Sequence, residues 1–184
     1  MKLCVDRSHG SAVELAIPYG CGDSILQDLV SASIECPSLK VVELLEMSLD
    51  VVEKLPALIS KWKELEILKI PLQLFSFTQI LEQIRINCPK FIGLHLHGYF
   101  SNRRIKAIVR CVPRLKILVI DGARIKKNDL MEMLDGCNEL QLFSASDCAG
   151  FKVDAEILMK TSNIKKVEFK NTPTQCKIEI DYFF

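Results

Sequence analysis

The sequence has almost no net charge, no long apolar run and few aromatic residues, and each of these shortages narrows the possible functions. Lys and Arg number 24 against 23 Asp and Glu, so the formal net charge is +1 and no overall field favours nucleic acid or an anionic membrane. No apolar stretch reaches the roughly 18 residues of a transmembrane helix. Aromatic residues make up 7% of the chain and hydrophobic residues 49%, which indicates an aliphatic core.

Motifs of common enzyme sites are also lacking. The chain has no G-x-x-x-x-G-K, G-x-S-x-G or H-E-x-x-H segment, so we predict a non-catalytic protein without cofactors. Its eight cysteines include no C-x-x-C pair, which argues against a zinc module or a thioredoxin-type site. The charged residues Asp6 and Arg7 come before a signal-peptide hydrophobic core could form, which argues against a secretory signal. We therefore expect reduced thiols inside a cell, in the cytoplasm or the nucleus.

What the chain does contain is a repeat of the form L-x-x-L-x-L. Seven copies begin 24 to 27 residues apart, and all their template positions are apolar. Their first positions are Ala12, Leu39, Leu65, Phe91, Leu115, Leu140 and Ile164. This template and period are those of a leucine-rich repeat, in which short parallel strands stack with their apolar residues facing a shared core. We predict an open α/β solenoid, a horseshoe arc of about seven repeats over residues 1–184, as a single domain.

The segments between the strands have the apolar spacing of half-buried helices. The predicted helices cover 23–34, 49–62, 78–87, 102–111, 128–137 and 154–161. The residues predicted at their N-caps are Asp23, Ser48, Ser101, Asn128 and Asp154. Pro56 should shorten or kink the second helix, because it has no N–H and its ring clashes with the preceding turn. The alternating segment 177–184 predicts a last strand or a cap.

Four cysteines occupy one recurring position, three or four residues before the first apolar position of a repeat. These are Cys36, Cys88, Cys111 and Cys137, and Trp62 fills the same position in another repeat. The position is the turn from helix back into strand, facing the inside of the stack. A small buried thiol fits there, so we interpret these cysteines as core residues rather than as nucleophiles.

The sequence of the repeats resembles that of a known family. Cys36-Pro37-Ser38-Leu39 and its echo Cys88-Pro89-Lys90-Phe91, with capped helices between, resemble the cysteine-containing leucine-rich repeats of F-box proteins. The chain as a whole looks most like the plant F-box/LRR-repeat group. Segment 6–26, DRSHGSAVELAIPYGCGDSIL, resembles the first repeat after the F-box in that group.

The resemblance implies a substrate-recognition role in an SCF-type E3 ubiquitin ligase. In that family the F-box docks on a Skp adaptor and so on a cullin, while the repeats hold the protein to be ubiquitinated and degraded. No Leu-Pro precedes the first repeat here, and Leu55-Pro56 falls inside a predicted helix. We therefore expect a Skp adaptor and a cullin as partners only if an F-box precedes this chain. The alternative is a scaffold or decoy that binds the same kind of protein without docking to a ligase.

The concave face of such an arc is predicted to bind the partner protein. Residues between and beside the buried strand positions form an apolar strip with a polar border, an arrangement that suits a protein partner. The predicted contact residues are Val41, Glu43, Ile67, Lys69, His95, His97, Ile117, Val119, Asp121 and Leu142. In the alternative interpretation, the strip is partly covered by its own neighbours.

His95 and His97 share one strand face with Asp121 on the next strand, which raises the question of a metal site. Zinc usually takes four protein ligands, and nothing in the sequence fixes a fourth, so we predict no metal. Titration of these histidines could make partner binding pH-sensitive. Binding measured on either side of the ordinary histidine pKa of about 6.5 tests that hypothesis.

Two basic clusters stand apart from the strip. Arg124, Lys126 and Lys127 lie between a strand and its helix, and 103–106 carries Arg103, Arg104 and Lys106 one repeat earlier. Together they could line one rim and contact an acidic partner, although such runs are commonly solvated helix starts. No aromatic residues interleave with the charges to stack bases, which argues against nucleic acid.

Overall fold

The computed structural model describes residues 10–17, 25–45, 47–72 and 74–173, and within these ranges seven strands and six helices alternate. The strands are β1 (Glu14–Ile17), β2 (Val41–Leu44), β3 (Ile67–Pro71), β4 (Gly93–Tyr99), β5 (Ile117–Arg124), β6 (Leu142–Ser146) and β7 (Lys166–Lys170). The helices are α1 (Ile25–Glu35), α2 (Leu49–Ile59), α3 (Phe77–Asn87), α4 (Asn102–Cys111), α5 (Lys127–Gly136) and α6 (Ala155–Thr161). The predicted segment 177–184 lies outside the described residues.

The strands form one parallel sheet whose spatial order is the order of the chain, β1 to β7. Each strand pairs with the next in the register that the repeat template predicts, so Leu68 lies beside Leu94 and Leu94 beside Leu118. Every helix therefore connects two neighbouring strands, and each repeat packs chiefly on its neighbours. The prediction of an open α/β leucine-rich-repeat solenoid is confirmed.

The core is a stack of the template positions. Val42, Leu68, Leu94, Leu118 and Phe143 occupy the second template position of successive repeats, and each is completely buried. Burying an aliphatic side chain of this size contributes about 1.5–3 kcal/mol, so these stacked rows are a main source of stability. The alternation along each strand leaves the intervening residues on the opposite face of the sheet.

The helices begin and end close to the predicted bounds. They run from 7 to 11 residues, and among the described residues no helix is long and apolar enough to cross a membrane. Asp154 caps α6, since its Oδ1 accepts a hydrogen bond from the Ile157 N–H at 3.1 Å. Ser48 and Ser101 hold N-cap positions but make no capping hydrogen bond through their side chains.

The N-cap prediction was wrong at one helix and falls outside the described residues at another. Lys126 stands at the N-cap of α5, and the predicted Asn128 is already inside the first turn. Helix α5 starts one residue earlier than predicted because the chain leaves β5 in an extended conformation as far as Lys126, whose ψ is 150°. The predicted cap Asp23 belongs to the part of the chain that is not described.

Pro56 lies inside α2, which ends at Ile59 rather than at the predicted Trp62. Proline has no N–H, so the carbonyl of Val52, four residues earlier, loses its normal helical donor. The buried hydroxyl of Ser76, at the N-cap of the next helix, donates to the Val52 carbonyl at 2.7 Å. The donor that the proline removes in one repeat is thus supplied by a serine of the next repeat.

Ser76→Ala is expected to lower the free energy of unfolding by about 1–3 kcal/mol, because it leaves the buried Val52 carbonyl without a donor. In a Pro56→Ala background the restored N–H serves that carbonyl, so the same substitution should cost less than about 1 kcal/mol. Urea unfolding of the four proteins in this double-mutant cycle measures both values. An equal loss in the two backgrounds would show that Ser76 does not replace the missing donor.

The recurring cysteines are buried where helix turns back into strand, as predicted. Cys36, Cys88, Cys111 and Cys137 are at most 4% exposed. Burial raises the pKa of Cys88 and Cys137 to about 11, so these thiols stay protonated at neutral pH. The Cys88 thiol also donates to the carbonyl of Trp62 at 3.4 Å, which links two neighbouring repeats. These properties suit core residues and disfavour reactive thiolates.

Candidate protein-binding face

The sheet face opposite the buried rows carries three parallel rows of residues. One row runs from Val41 through Ile67, Gly93 and Ile117 to Leu142. The second row joins Ala16, Glu43, Lys69, His95, Val119, Ser144 and Glu168. The third joins Pro71, His97, Asp121, Ser146 and Lys170. We call this surface the concave face, and all ten residues predicted to contact a partner lie on it.

Most of the ten are half-buried, and Asp121 is exposed. Gly93 interrupts the apolar row and is itself buried. A Cβ at that position would lie 3.0 Å from Ile67 Cγ1 and 3.4 Å from Ile117 Cβ, so both isoleucine side chains pack close to the glycine. The two isoleucines therefore close over the gap that the glycine leaves. The apolar strip is continuous and is partly covered by its own neighbours, as the alternative interpretation held.

An ion pair that the sequence interpretation missed lies beside the apolar row. Lys69 Nζ lies 2.8 Å from Glu43 Oε2, and the two side chains are 27% and 24% exposed. They occupy neighbouring positions on β3 and β2, where opposite charges in one row attract. Their opposite signs at equivalent repeat positions were the signal that could have identified the pair. The pairing places a partly desolvated charge couple beside the apolar row.

His95 lies next to this pair on β4 and is half-buried. Burial lowers its pKa, and the positive charge of Lys69 lowers it further, against the opposing effects of Asp121 and Glu43. His95 is therefore neutral at neutral pH, and any dependence of binding on its charge falls below the ordinary histidine pKa of about 6.5. His97 lies in register with Asp121, and its carbonyl accepts a hydrogen bond from the Leu72 N–H at 2.9 Å.

The face does not assemble a metal site from the described residues. In those ranges no group of three His, Cys, Asp or Glu side chains is arranged to hold a metal ion. His95 and His97 stand two residues apart on one strand, with Lys69 beside the first of them. What the arrangement offers chemically is an apolar contact surface with charged and hydrogen-bonding groups at its border.

The two basic clusters follow the ends of β4 and β5, which lie side by side with Tyr99 next to Arg124, and they differ in how their charges are compensated. Lys127 is bound by Asp154, at 2.6 Å, and by Glu156. One repeat earlier, Arg104 donates to the carbonyl of Tyr99 at 3.0 Å, at the end of β4. The charge of Lys127 is therefore neutralised within the fold, while the cluster at the start of α4 keeps its positive charge.

Comparison with known proteins agrees with the repeat architecture. No protein-family profile matches the chain. The F-box/LRR-repeat protein At3g48880 of Arabidopsis thaliana is 28% identical over 180 residues, which is 90% of this chain and 58% of that protein. Putative F-box/LRR-repeat protein 23 of the same plant is 30% identical over 152 residues, 78% of this chain and 33% of that protein.

The chain thus spans 58% and 33% of the lengths of these two curated relatives. The similarity extends over most of the chain, and the relatives are named for the leucine-rich repeat that the seven-stranded sheet displays. By sequence the chain is similar to these plant F-box/LRR-repeat proteins, and its fold is the leucine-rich-repeat solenoid for which they are named.

Proposed function

We propose that the chain is a non-catalytic protein-binding module whose concave face recognises the substrate of an SCF-type E3 ubiquitin ligase. The observation that supports this is the apolar row from Val41 to Leu142, which continues over five strands on the face of the sheet away from the buried core. The four side chains of this row are half-buried, so part of their apolar surface remains accessible, and a contiguous accessible apolar patch commonly marks a contact site.

The composition of the face favours a protein partner over a small molecule or nucleic acid. Ile67, Ile117 and Val119 offer half-exposed apolar contact on β3 and β5, as the centre of a protein interface requires. The border formed by the Lys69–Glu43 pair and Asp121 carries both signs of charge, which disfavours a polyanion and can fix the register of a protein partner. Such a partner would be recognised in the cytoplasm or the nucleus, and no cofactor takes part.

Delivery of the bound protein to a ligase is the finer part of the proposal. It is supported by the F-box named in both curated relatives, each of which extends beyond the matched region. The full-length endogenous protein, purified from its own cells, should then carry a Skp adaptor and a cullin in stoichiometric amounts by mass spectrometry. A full-length protein that binds its target without either of them would instead support the scaffold or decoy function.

Reversing two charges on the concave face tests the binding site itself. Lys69→Glu together with Asp121→Lys should weaken capture of the partner by about tenfold or more, since charges that matched the partner now oppose it. Lys69→Glu loses a cross-strand ion pair worth about 0.2–1 kcal/mol and sets a second carboxylate beside Glu43. The fold should persist, because the buried rows on the other face of the sheet are unchanged.

The matched control is Glu53→Lys with Lys54→Glu, which reverses two exposed charges on α2 and leaves the concave face intact. Partner capture by the three proteins is compared by co-immunoprecipitation, and their thermal unfolding shows whether each is folded. Undiminished capture by the concave-face variant would move the binding site away from the centre of the sheet.

A further inference from the structure

A groove separates α3 from α4 on the helical side of the molecule, away from the concave face. Its volume is about 710 Å³, and it is lined by Thr78 of α3 and by Asn102, Arg103, Lys106, Ala107 and Arg110 of α4. The three basic residues are spaced i, i+3 and i+7 along α4, so they lie on one helix face. At 1.5 Å of rise per residue, they extend over roughly 10 Å of the groove.

The positive charge of this groove is left largely uncompensated. Arg110 pairs with Glu82 of α3 at 2.8 Å, but Arg103 and Lys106 form no salt bridge with any described residue. At the boundary between α5 and α6, by contrast, the basic side chains are paired with acidic ones. There Lys127 is bound by two carboxylates and Lys160 pairs with Asp135.

A second recess, lined by both apolar and polar residues, adjoins one end of the basic groove. This cavity, of about 250 Å³, shares Thr78 and Arg103 with the groove, and its other lining residues are Leu74, Phe75, Phe77, Ser101 and Arg104. Phe77 is buried in the core, whereas Phe75 is 65% exposed. The exposed ring of Phe75 contributes little hydrophobic stabilisation while it faces water. A partner side chain that covered the ring would gain part of that free energy.

We propose that the groove between α3 and α4 is a second docking site, which binds an acidic segment of a partner protein. Carboxylates of the segment pair with Arg103 and Lys106, and one apolar side chain covers Phe75. The cationic row of roughly 10 Å matches about three residues of extended peptide at some 3.3 Å each. Charge complementarity selects the partner, since the free charges in the groove are all positive. One exposed aromatic ring gives no succession of stacking surfaces for a nucleic acid.

The probe for this site is a fluorescein-labelled peptide of three glutamates, one leucine and three further glutamates, titrated with the protein at low salt while anisotropy is measured. Arg103→Glu with Lys106→Glu should weaken binding by about tenfold or more, because two attractive charges become repulsive. The matched control, Lys54→Glu with Lys61→Glu, makes the same change in net charge at exposed positions outside the groove and should stay within about twofold of the parent protein.

Two further comparisons separate the parts of the proposal. Phe75→Ser should weaken binding of the leucine-containing peptide and leave unchanged the binding of a peptide in which glutamate replaces the leucine. Lys69→Glu with Asp121→Lys should leave peptide binding intact, so failure of this site is distinguishable from failure of the concave face. Circular dichroism of each variant confirms that it is folded.

Three results would overturn the proposal. The first is equal loss of peptide binding in the groove variant and in the Lys54/Lys61 control, since the effect would then follow net charge alone. The second is failure of the parent protein to bind the peptide at low salt. The third is tighter binding of a ten-nucleotide uridine oligomer than of the peptide, which would make the groove a nucleic-acid site.

Discussion

Replacing Trp62 with cysteine, the residue found at the same position in four other repeats, is expected to lower the free energy of unfolding by about 3–5 kcal/mol. Trp62 is completely buried and is among the largest side chains of the core. The neighbouring repeats are built around its indole, so the smaller thiol leaves a cavity that the stack only partly closes. A position that accepts cysteine elsewhere in this chain should therefore reject it here.

Trp62→Phe is the matched control for this prediction. The indole Nε1 of Trp62 has no hydrogen-bond partner among the described residues, and a buried N–H without a partner costs about 1–3 kcal/mol. Phenylalanine removes that group while keeping most of the ring, so the net loss should be below about 1.5 kcal/mol. Because Trp62 is the only tryptophan, urea unfolding is best followed by far-ultraviolet circular dichroism. Equal losses in the two variants would contradict the proposed packing.

Gly150→Ala is expected to cost about 2–4 kcal/mol through backbone strain and a steric clash together. Gly150 has φ of +97°, and a Cβ there would lie 2.4 Å from the carbonyl oxygen of Ile125. Beside this close approach, the Ile125 N–H donates to the Ala149 carbonyl at 2.9 Å and joins two neighbouring repeats. The methyl group would therefore separate the loops after β5 and β6.

Gly122→Ala separates the two causes. Gly122 has φ of +55°, but no atom lies within 4 Å of the Cβ that alanine would add. Its loss should be the conformational cost alone, about 1–2 kcal/mol. Thermal unfolding of both variants against the parent protein gives the comparison. If Gly122→Ala destabilised the protein as much as Gly150→Ala, the clash with the Ile125 carbonyl would contribute nothing to the loss of stability at Gly150.

The strand rows were predictable because the repeat itself fixes the register. Once Leu68, Leu94 and Leu118 are aligned as buried positions, the side-chain period of two places Lys69, His95 and Val119 in one row on the other face. The sequence also predicted the helices to within a few residues at most ends, since their apolar spacing is regular. The start of α5 was missed because Lys126 carries no capping side chain.

Contacts between repeats were not predictable in the same way. The bond from Ser76 to the Val52 carbonyl joins residues 24 apart, and it exists because α2 and α3 bring the two groups together. The pairing of Arg110 with Glu82, which leaves Arg103 and Lys106 without acidic partners, likewise depends on how α4 packs against α3. The periodicity of the sequence shows which face a residue lies on. Which neighbouring side chain it contacts on that face depends on how the repeats pack.

The most direct test of the proposed function is site-specific photo-crosslinking of the full-length protein in its own cells. A photoreactive amino acid at Ile117, on the concave face, should capture a discrete protein, and that capture should be lost when Lys69→Glu and Asp121→Lys are added. The same amino acid at Met159, which is 73% exposed on α6, serves as the control and should not capture that protein. Capture of the same protein from Met159 but not from Ile117 would contradict recognition by the concave face.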